Sequence, residues 1–381
     1  MFGRNKRTKV IELASGKEKT NTLTKVILAL LFGVFLVEVF LSWNITSTMS
    51  EKIRSGNLNL VEISDSACSE CASASSLSSL IRNDNSTKII SSKTLDFSSA
   101  EAKSLIQQYG VQKIPAVIVT GEFKKDNVVF LWGQLNGRML DNGVVLEVNP
   151  PYVNVSTGNK EGVVSLTTIV DSACTDCVSM DTFVSSMKQA GVYFSSQKTL
   201  EYTSTEAQSL ILSQDIKRIP AIVFSKDIEA YPAVYQFLTQ TNATQRQGFY
   251  AYHTSTPPYL NLSTGMINGR VSVVYLTDAA CSSCYDVTQH RAILQNFGVK
   301  VVNESTYDVN STTGGQLLSQ YNITKVPTIL LSPDAAYYVT LNQVWTSVGT
   351  VATDGWYIFR GTEQMGTYMD LSTGKAVTPG K

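Results

Sequence analysis

LVEISDSACSEC, residues 60–71, decides the fold: an apolar run with β-branched residues ends at an aspartate and enters a Cys-x-x-Cys pair. It recurs as LTTIVDSACTDC at 166–177 and, within VSVVYLTDAACSSC, at 271–284. A second landmark follows each copy: YGVQKIPAVIV from Tyr109, QDIKRIPAIVF from Gln214 and YNITKVPTILL from Tyr321. A third closes it: PPYVNVSTG from Pro150, PPYLNLSTG from Pro257 and GTYMDLSTG from Gly366. The first cysteines, at 68, 174 and 281, stand 106 and 107 residues apart. Solenoid repeats run at about 20–50 residues, so a unit this long is a whole domain with its own core.

Within a unit the pattern reads as strand, helix, strand, helix, strand. In the second copy a buried strand is expected over 163–170, and the Cys-x-x-Cys opens a helix over 180–190 ended by Gly191. A second strand follows over 192–200. Ser98-x-x-Glu101, Thr203-x-x-Glu206 and Thr313-x-x-Gln316 have capping-box spacing ahead of the next helix. The chain then crosses Ile-Pro or Val-Pro into a β-branched strand. Near the end of the third copy a helix is expected over 337–348 and a strand over 356–360. This alternation gives an α/β fold of three tandem domains, each a central mixed sheet with flanking helices. The expected bounds are 58–158, 159–265 and 266–381.

Ahead of them, residues 26–43 read VILALLFGVFLVEVFLSW, with Glu38 as the one charge. At ~1.5 Å per residue this run is just long enough to cross a bilayer, and an uncleaved signal anchor is expected. Residues 1–25 carry Arg4, Lys6, Arg7, Lys9, Lys17, Lys19 and Lys25 against Glu12 and Glu18. The positive-inside rule makes them a cytoplasmic tail and places the domains outside the cytoplasm, behind a linker over 44–57. Glycosylation triplets begin at Asn44, Asn85, Asn154, Asn242, Asn261, Asn303, Asn310 and Asn322, all on that outer side.

Lys+Arg and Asp+Glu both total 31, so net charge gives no field to recruit nucleic acid. The two histidines, His253 and His290, leave little room for a His-rich metal centre or a Ser-His-Asp triad. Zinc ribbons bring two Cys-x-x-Cys pairs within ~15–25 residues, far closer than here, so neither metal nor cofactor is expected. All six cysteines fall into the pairs Cys68/Cys71, Cys174/Cys177 and Cys281/Cys284.

Cys-x-x-Cys at the end of a buried strand, with Ile-Pro or Val-Pro 43 or 44 residues after the second cysteine, resembles the thioredoxin superfamily. An aspartate three residues before each first cysteine (Asp65, Asp171, Asp278) is similar to the extracytoplasmic disulfide oxidoreductases and isomerases. The resemblance spans Leu58 to the C-terminus in triplicate. It implies that Pro115, Pro220 and Pro327 are cis and lie against the cysteines. It also implies that the backbone at Ile114, Ile219 and Val326 pairs with an extended substrate strand. Cys68, Cys174 and Cys281 are then nucleophiles, and Cys71, Cys177 and Cys284 resolving thiols. Protein thiols and disulfides are the implied substrates, with a membrane or soluble redox partner.

Departures are visible too. Ala67, Ala173 and Ala280 replace the usual aromatic before the first cysteine. Glu70 and Asp176 set a negative charge beside the nucleophile, which disfavours thiolate and makes the first two sites less oxidising than the third. Lys113, Arg218 and Lys325, two residues before each proline, either offset that charge or are solvated cations. Glu62 falls where thioredoxin keeps a buried acid, with Thr168 and Tyr275 at the matching positions; otherwise it is an outward-facing strand residue. His290, six residues past Cys284, is read as a helix-surface residue, the alternative being assistance with proton transfer there, and Tyr152, Tyr259 and Tyr368 are read as packing between domains. The rival function is a redox-inert surface or binding module holding three local structural disulfides.

Overall fold

The computed structural model describes residues 32–43, 54–241 and 243–380. Helix α1 covers residues 32–43. The first copy supplies β1 (Gly56–Ser64), α2 (Ala74–Asn83), β2 (Thr87–Asp96), α3 (Ala100–Tyr109), β3 (Lys113–Ile114), β4 (Ala116–Gly121), α4 (Asp126–Gln134), β5 (Arg138–Met139), β6 (Val144–Glu147), β7 (Tyr152–Asn154) and β8 (Lys160–Glu161). The second supplies β9 (Val164–Val170), α5 (Asp181–Gln189), β10 (Phe194–Glu201), α6 (Thr205–Gln214), β11 (Arg218–Ile219), β12 (Ala221–Ser225), α7 (Pro232–Gln240), β13 (Thr244–Arg246), β14 (Phe249–His253), β15 (Tyr259–Asn261) and β16 (Met266–Asn268). The third supplies β17 (Val271–Thr277), α8 (Gln289–Asn296), β18 (Val301–Asp308), α9 (Thr312–Tyr321), β19 (Lys325–Val326), β20 (Thr328–Leu331), α10 (Val339–Val348), β21 (Gly349–Val351), β22 (Tyr357–Phe359), β23 (Tyr368–Asp370) and β24 (Lys375–Val377).

Two compact units emerge. One holds the described residues up to Ser64 with Ser73–Val111 and Ala116–Glu147; the other holds Asp65–Ala72, Gln112–Pro115 and the described residues from Val148 on.

The first unit holds a five-stranded sheet, ordered β2-β1-β4-β6-β5. β1 and β2 run parallel, joined through α2, and the remaining pairs are antiparallel. Central β4 is buried through Ala116, Val117, Ile118 and Val119, as a strand flanked by two neighbours must be. One core joins Leu58, Leu60, Val117, Val119, Val128, Trp132 and Leu146, with the Trp132 indole N–H donated to Phe123 O at 2.8 Å.

The second unit contains two further sheets, β10-β9-β12-β14-β13 and β18-β17-β20-β22-β21, with the same pairing senses. Alternating side chains sort onto two faces. In the second copy Leu166, Ile222, Phe224 and Tyr250 meet α5 and α7, while Ile169, Ala221, Val223 and Ala251 meet Ala207 and Ile211 of α6. The sheets are therefore mixed and covered by helices, as the alternation implied.

Two local expectations are corrected. The capping serines are Ser99, Ser204 and Ser311, whose hydroxyls accept from the amides of Ala102, Ala207 and Gly314. Glu101 and Glu206 sit one position short of the box and pair with Lys93 and Lys198 instead. The first helix of each copy starts later than the cysteines, at Ala74, Asp181 and Gln289.

Of the expected membrane span, residues 26–31 lie outside the described residues, as do the tail at 1–25, linker residues 44–53 and the triplets opening at Asn44 and Asn242. α1 exposes its apolar side chains, with Phe40 at 67% and Trp43 at 74%. Its length is about 18 Å, short of a ~30 Å hydrocarbon core. Among the described residues no helix is long and apolar enough to cross a membrane.

Candidate functional site

Each cysteine pair is closed as a disulfide, with Cα atoms 5.4, 5.4 and 5.5 Å apart for Cys68–Cys71, Cys174–Cys177 and Cys281–Cys284. The recurring aspartate builds the turn that presents them. Asp65 accepts the Ala67 amide on its carboxylate and the Cys68 amide on its carbonyl; Asp171 and Asp278 do the same for Ala173/Cys174 and Ala280/Cys281. Such an Asx-type turn satisfies two amides that no sheet or helix reaches.

The sulfur pairs do not open a helix, contrary to the sequence reading. A polar side chain further on accepts an amide just before or at the start of the helix in each copy. Ser73 caps α2, Ser179 accepts the Asp181 amide, and Asp286 accepts the Thr288 amide. Helix-dipole stabilisation falls off within one turn, so it is a weaker source of thiolate stabilisation here than the sequence suggested.

The bonds before Pro115, Pro220 and Pro327 are cis. The backbone just ahead of them is not free, however. β3, β11 and β19 each pair with a hairpin from the end of their own copy, giving the small sheets β3-β7-β8, β11-β15-β16 and β19-β23-β24. The register sets Ile114 opposite Val153, Ile219 opposite Leu260 and Val326 opposite Met369. The residue after each second cysteine then donates to the same strand: Ala72 to Pro151 O at 3.0 Å, Val178 to Pro258 O at 3.0 Å, and Tyr285 to Thr367 O at 2.8 Å. Those carbonyls are two residues from the pre-proline partners, or about 7 Å along a strand. One short strand thus bridges disulfide turn and proline segment in every copy.

The recurring tyrosines and cations meet here. Lys113 lies over the Tyr152 ring at 4.6 Å, Arg218 over Tyr259 at 4.6 Å and Lys325 over Tyr368 at 5.2 Å. Tyr259 also meets Tyr337 of the third copy edge-on at 6.2 Å, so packing between copies accounts for only part of its role. Charge beside the sulfurs is offset from elsewhere. Glu70 accepts from Lys160 at 2.8 Å, and Asp176 faces Arg270 at 3.2 Å and Lys300 at 3.4 Å. The third turn has uncharged Ser283 at this place.

The bond to Lys160 holds the Glu70 carboxyl well down, from 4.5 to about 2. A depressed acid stabilises the fold above its ordinary value and loses that contribution as pH falls toward the folded value. Phosphine reduction of Cys68–Cys71, relative to Cys281–Cys284, is therefore expected to quicken about twofold between pH 4.5 and 2. Lys160→Ala should remove that step; an unchanged ratio in the parent chain would refute the tie.

Exposure separates the sites: Cys68 and Cys174 are 8% and 6% exposed, whereas Cys281 is half-buried. The third site also has a buried network absent from the sequence reading. Tyr285 donates its hydroxyl to Pro327 O at 2.8 Å, and His290 Nε2 approaches that hydroxyl at 3.2 Å. His290 is 3% exposed and stacks edge-on against Phe359, so it is a core residue and not a surface one. Burial pushes its imidazole down to about 4. In the second copy His253 lies opposite Ala221, the residue after Pro220, and burial with nearby Arg218 lowers its titration. Glu62 lies 3.9 Å from Arg82, and Tyr275 donates to Glu304. Among the described residues no group of three or more His, Cys, Asp or Glu side chains could hold a metal ion.

No family model matches the sequence, and no curated protein matches it. Similar solved structures include ERdj5 in its form II crystal, 13% identical over 73% of this chain and 38% of that one, with a TM-score of 0.14. A protein disulfide oxidoreductase from Aeropyrum pernix k1 is 14% identical over 45% of this chain and 77% of its own, TM-score 0.14. The zinc-bound form of human ERp44 is 10% identical over 75% and 83%, TM-score 0.14. This chain spans about 38% of ERdj5. Strand order and disulfide turns define the class: three mixed α/β units, each a five-stranded sheet with flanking helices and one Cys-x-x-Cys disulfide.

Proposed function

We propose that the chain is a protein thiol–disulfide oxidoreductase, tethered to a membrane through residues 26–43 with its three domains outside the cytoplasm. The observation that carries the reading is the threefold recurrence of a local disulfide in an Asx-built surface turn, bridged by one strand to a segment ending in proline. In the reduced site the thiolate of Cys68, Cys174 or Cys281 attacks a substrate disulfide, forming a mixed disulfide and releasing one substrate thiolate. The thiolate of Cys71, Cys177 or Cys284 then attacks that bond and expels the other, so two electrons pass to the substrate and the site closes. A dithiol partner, in the membrane or soluble, reduces it again. The exposed apolar α1 and the basic residues before it support the tether.

A second reading, three inert structural disulfides, is favoured by the burial of Cys68 and Cys174 and by the hairpin already seated at each pre-proline strand. Changing Cys71, Cys177 and Cys284 singly to Ala tests both. In these variants oxidoreductase sites should accumulate mixed disulfides through the remaining cysteine, most at Cys281, while the parent disulfides should cycle at ordinary buffer potentials. Sites that stay oxidised and trap nothing would establish the inert reading.

A further inference from the structure

The strand that would receive an extended polypeptide beside each disulfide already has an occupant, and that occupant follows one pattern three times. An aromatic lies on a cation, Tyr152 on Lys113, Tyr259 on Arg218 and Tyr368 on Lys325. The next residue is aliphatic or methionine, Val153, Leu260 or Met369, set opposite the residue before the proline. The carbonyl before the aromatic accepts from the residue after the second cysteine. Backbone hydrogen bonds provide attachment without sequence preference; the cation–ring contact and the apolar pair supply selection.

Each occupant is anchored through its aromatic residue: Tyr152, Tyr259 and Tyr368 are 6%, 3% and 8% exposed. β7, β15 and β23 are three residues long, and each pairs with only two residues of the strand before the proline. Each closes on itself through Asn154, Asn261 or Asp370, whose side chain accepts the amide two residues on. The third is the least constrained. Gly366-Thr367 stands where the first two copies have a proline pair, and Gly366 adopts φ +142, open to glycine. The half-buried Cys281 lies in that copy.

We infer that each hairpin is a resident stand-in for the substrate strand, and that the site takes extended protein segments carrying an aromatic residue followed directly by an aliphatic one. This rests on the oxidoreductase reading and adds both a substrate class and a cover that must lift. Removing the ring frees β23 from Lys325, uncovering the turn and letting an external strand pair with Lys325–Val326.

The full-length chain tests it. Tyr368→Ala is expected to raise the rate of dithiothreitol reduction of Cys281–Cys284, followed by thiol trapping and mass spectrometry, by about fivefold. Tyr368→Phe keeps the ring and should behave as the parent. A fluorescent peptide GTYMDLS should bind Tyr368→Ala at least about fivefold more tightly than its Tyr→Ala counterpart. Lys325→Ala, which leaves the hairpin sequence intact, guards against misfolding and should erase the peptide preference. An unchanged reduction rate in Tyr368→Ala, or equal binding of the two peptides, overturns the inference. If that happens while the Cys284→Ala trap still captures protein, the oxidoreductase reading stands and only the occupant is wrong. A trap that captures nothing removes the reading itself.

Discussion

Acidification from pH 7 to pH 4 is expected to weaken the third copy by about 3 kcal/mol, chiefly through His290. The imidazole is 3% exposed and sits between the Tyr285 ring at 5.9 Å and Phe359 at 4.6 Å. Tyr285 has a single hydroxyl proton and donates it to Pro327 O, so His290 Nε2 carries the ring hydrogen. A second ring proton would place a charge in an apolar core. Folding therefore lowers its titration from 6.5 to about 4, and the unfolded chain takes the proton first. Stability is fully present above pH 6.5, declines from there to about pH 4, and then levels off, because both states are protonated. Asp286, Glu304, Asp308, Glu363 and Asp370 titrate below their ordinary carboxylate values, so their losses begin only near pH 4.5 and grow below pH 4, leaving the slope between pH 6.5 and 5 to His290. Urea titrations at pH 7, 5.5 and 4, read by tryptophan fluorescence, measure the slope. His290→Phe should flatten it, and a parent chain equally stable at pH 7 and pH 4 would contradict the assignment.

Trp132→Ala is the second large effect, a loss of about 3–5 kcal/mol confined to the first unit. Trp132 is 1% exposed within the cluster of Leu58, Leu60, Val128 and Leu146, and its indole N–H satisfies the Phe123 carbonyl. Removing it leaves both a cavity and an unpaired buried acceptor. Trp132→Phe fills most of the volume and should fall in between, by about 1–3 kcal/mol. In a chain of several cooperative units the change should appear as one early transition while the others keep their midpoints. Calorimetry that finds every transition unmoved would place the weight of that core elsewhere.

The alternation of strand and helix was legible because β-branched apolar runs such as 163–170 and the Ile-Pro or Val-Pro crossings carry strong local signals. The strands at 164–170 and 357–359 and the helix at 339–348 fall within a few residues of their expected places. Helix starts were harder. Ser98 and Ser99, or Thr203 and Ser204, are equivalent by composition, and only the amide each hydroxyl meets decides between them. The gap between cysteines and helix had a signal in the first copy, where Ser73 caps α2, and in the second, where the helix was expected from 180 and starts at Asp181. His290 looked like a surface residue because its helix is short and polar. It is buried against Tyr285 and against Phe359, the latter far along the chain. The hairpins were seen only as a recurring Tyr-x-Asn/Asp closing phrase, since pairing between residues about 40 positions apart leaves no periodic trace.

The strand covering the second disulfide turns back through β16 and, two residues later, becomes the first strand of the third copy. At the crossing, Gly269 adopts φ +93 with a would-be Cβ 2.2 Å from Pro257. It donates to Asp334 and accepts from the Tyr338 hydroxyl, while Asp176 of the second turn leans on Arg270 and Lys300. Excising the second copy at the ends of its five-stranded sheet would leave its cover with the neighbour. The module that keeps its own closing hairpin when cut runs from the first strand through that hairpin. Even so cut, the second disulfide loses the brace that its successor provides. Anything that loosens the third copy, acid included, should therefore be felt at the second copy's sulfurs.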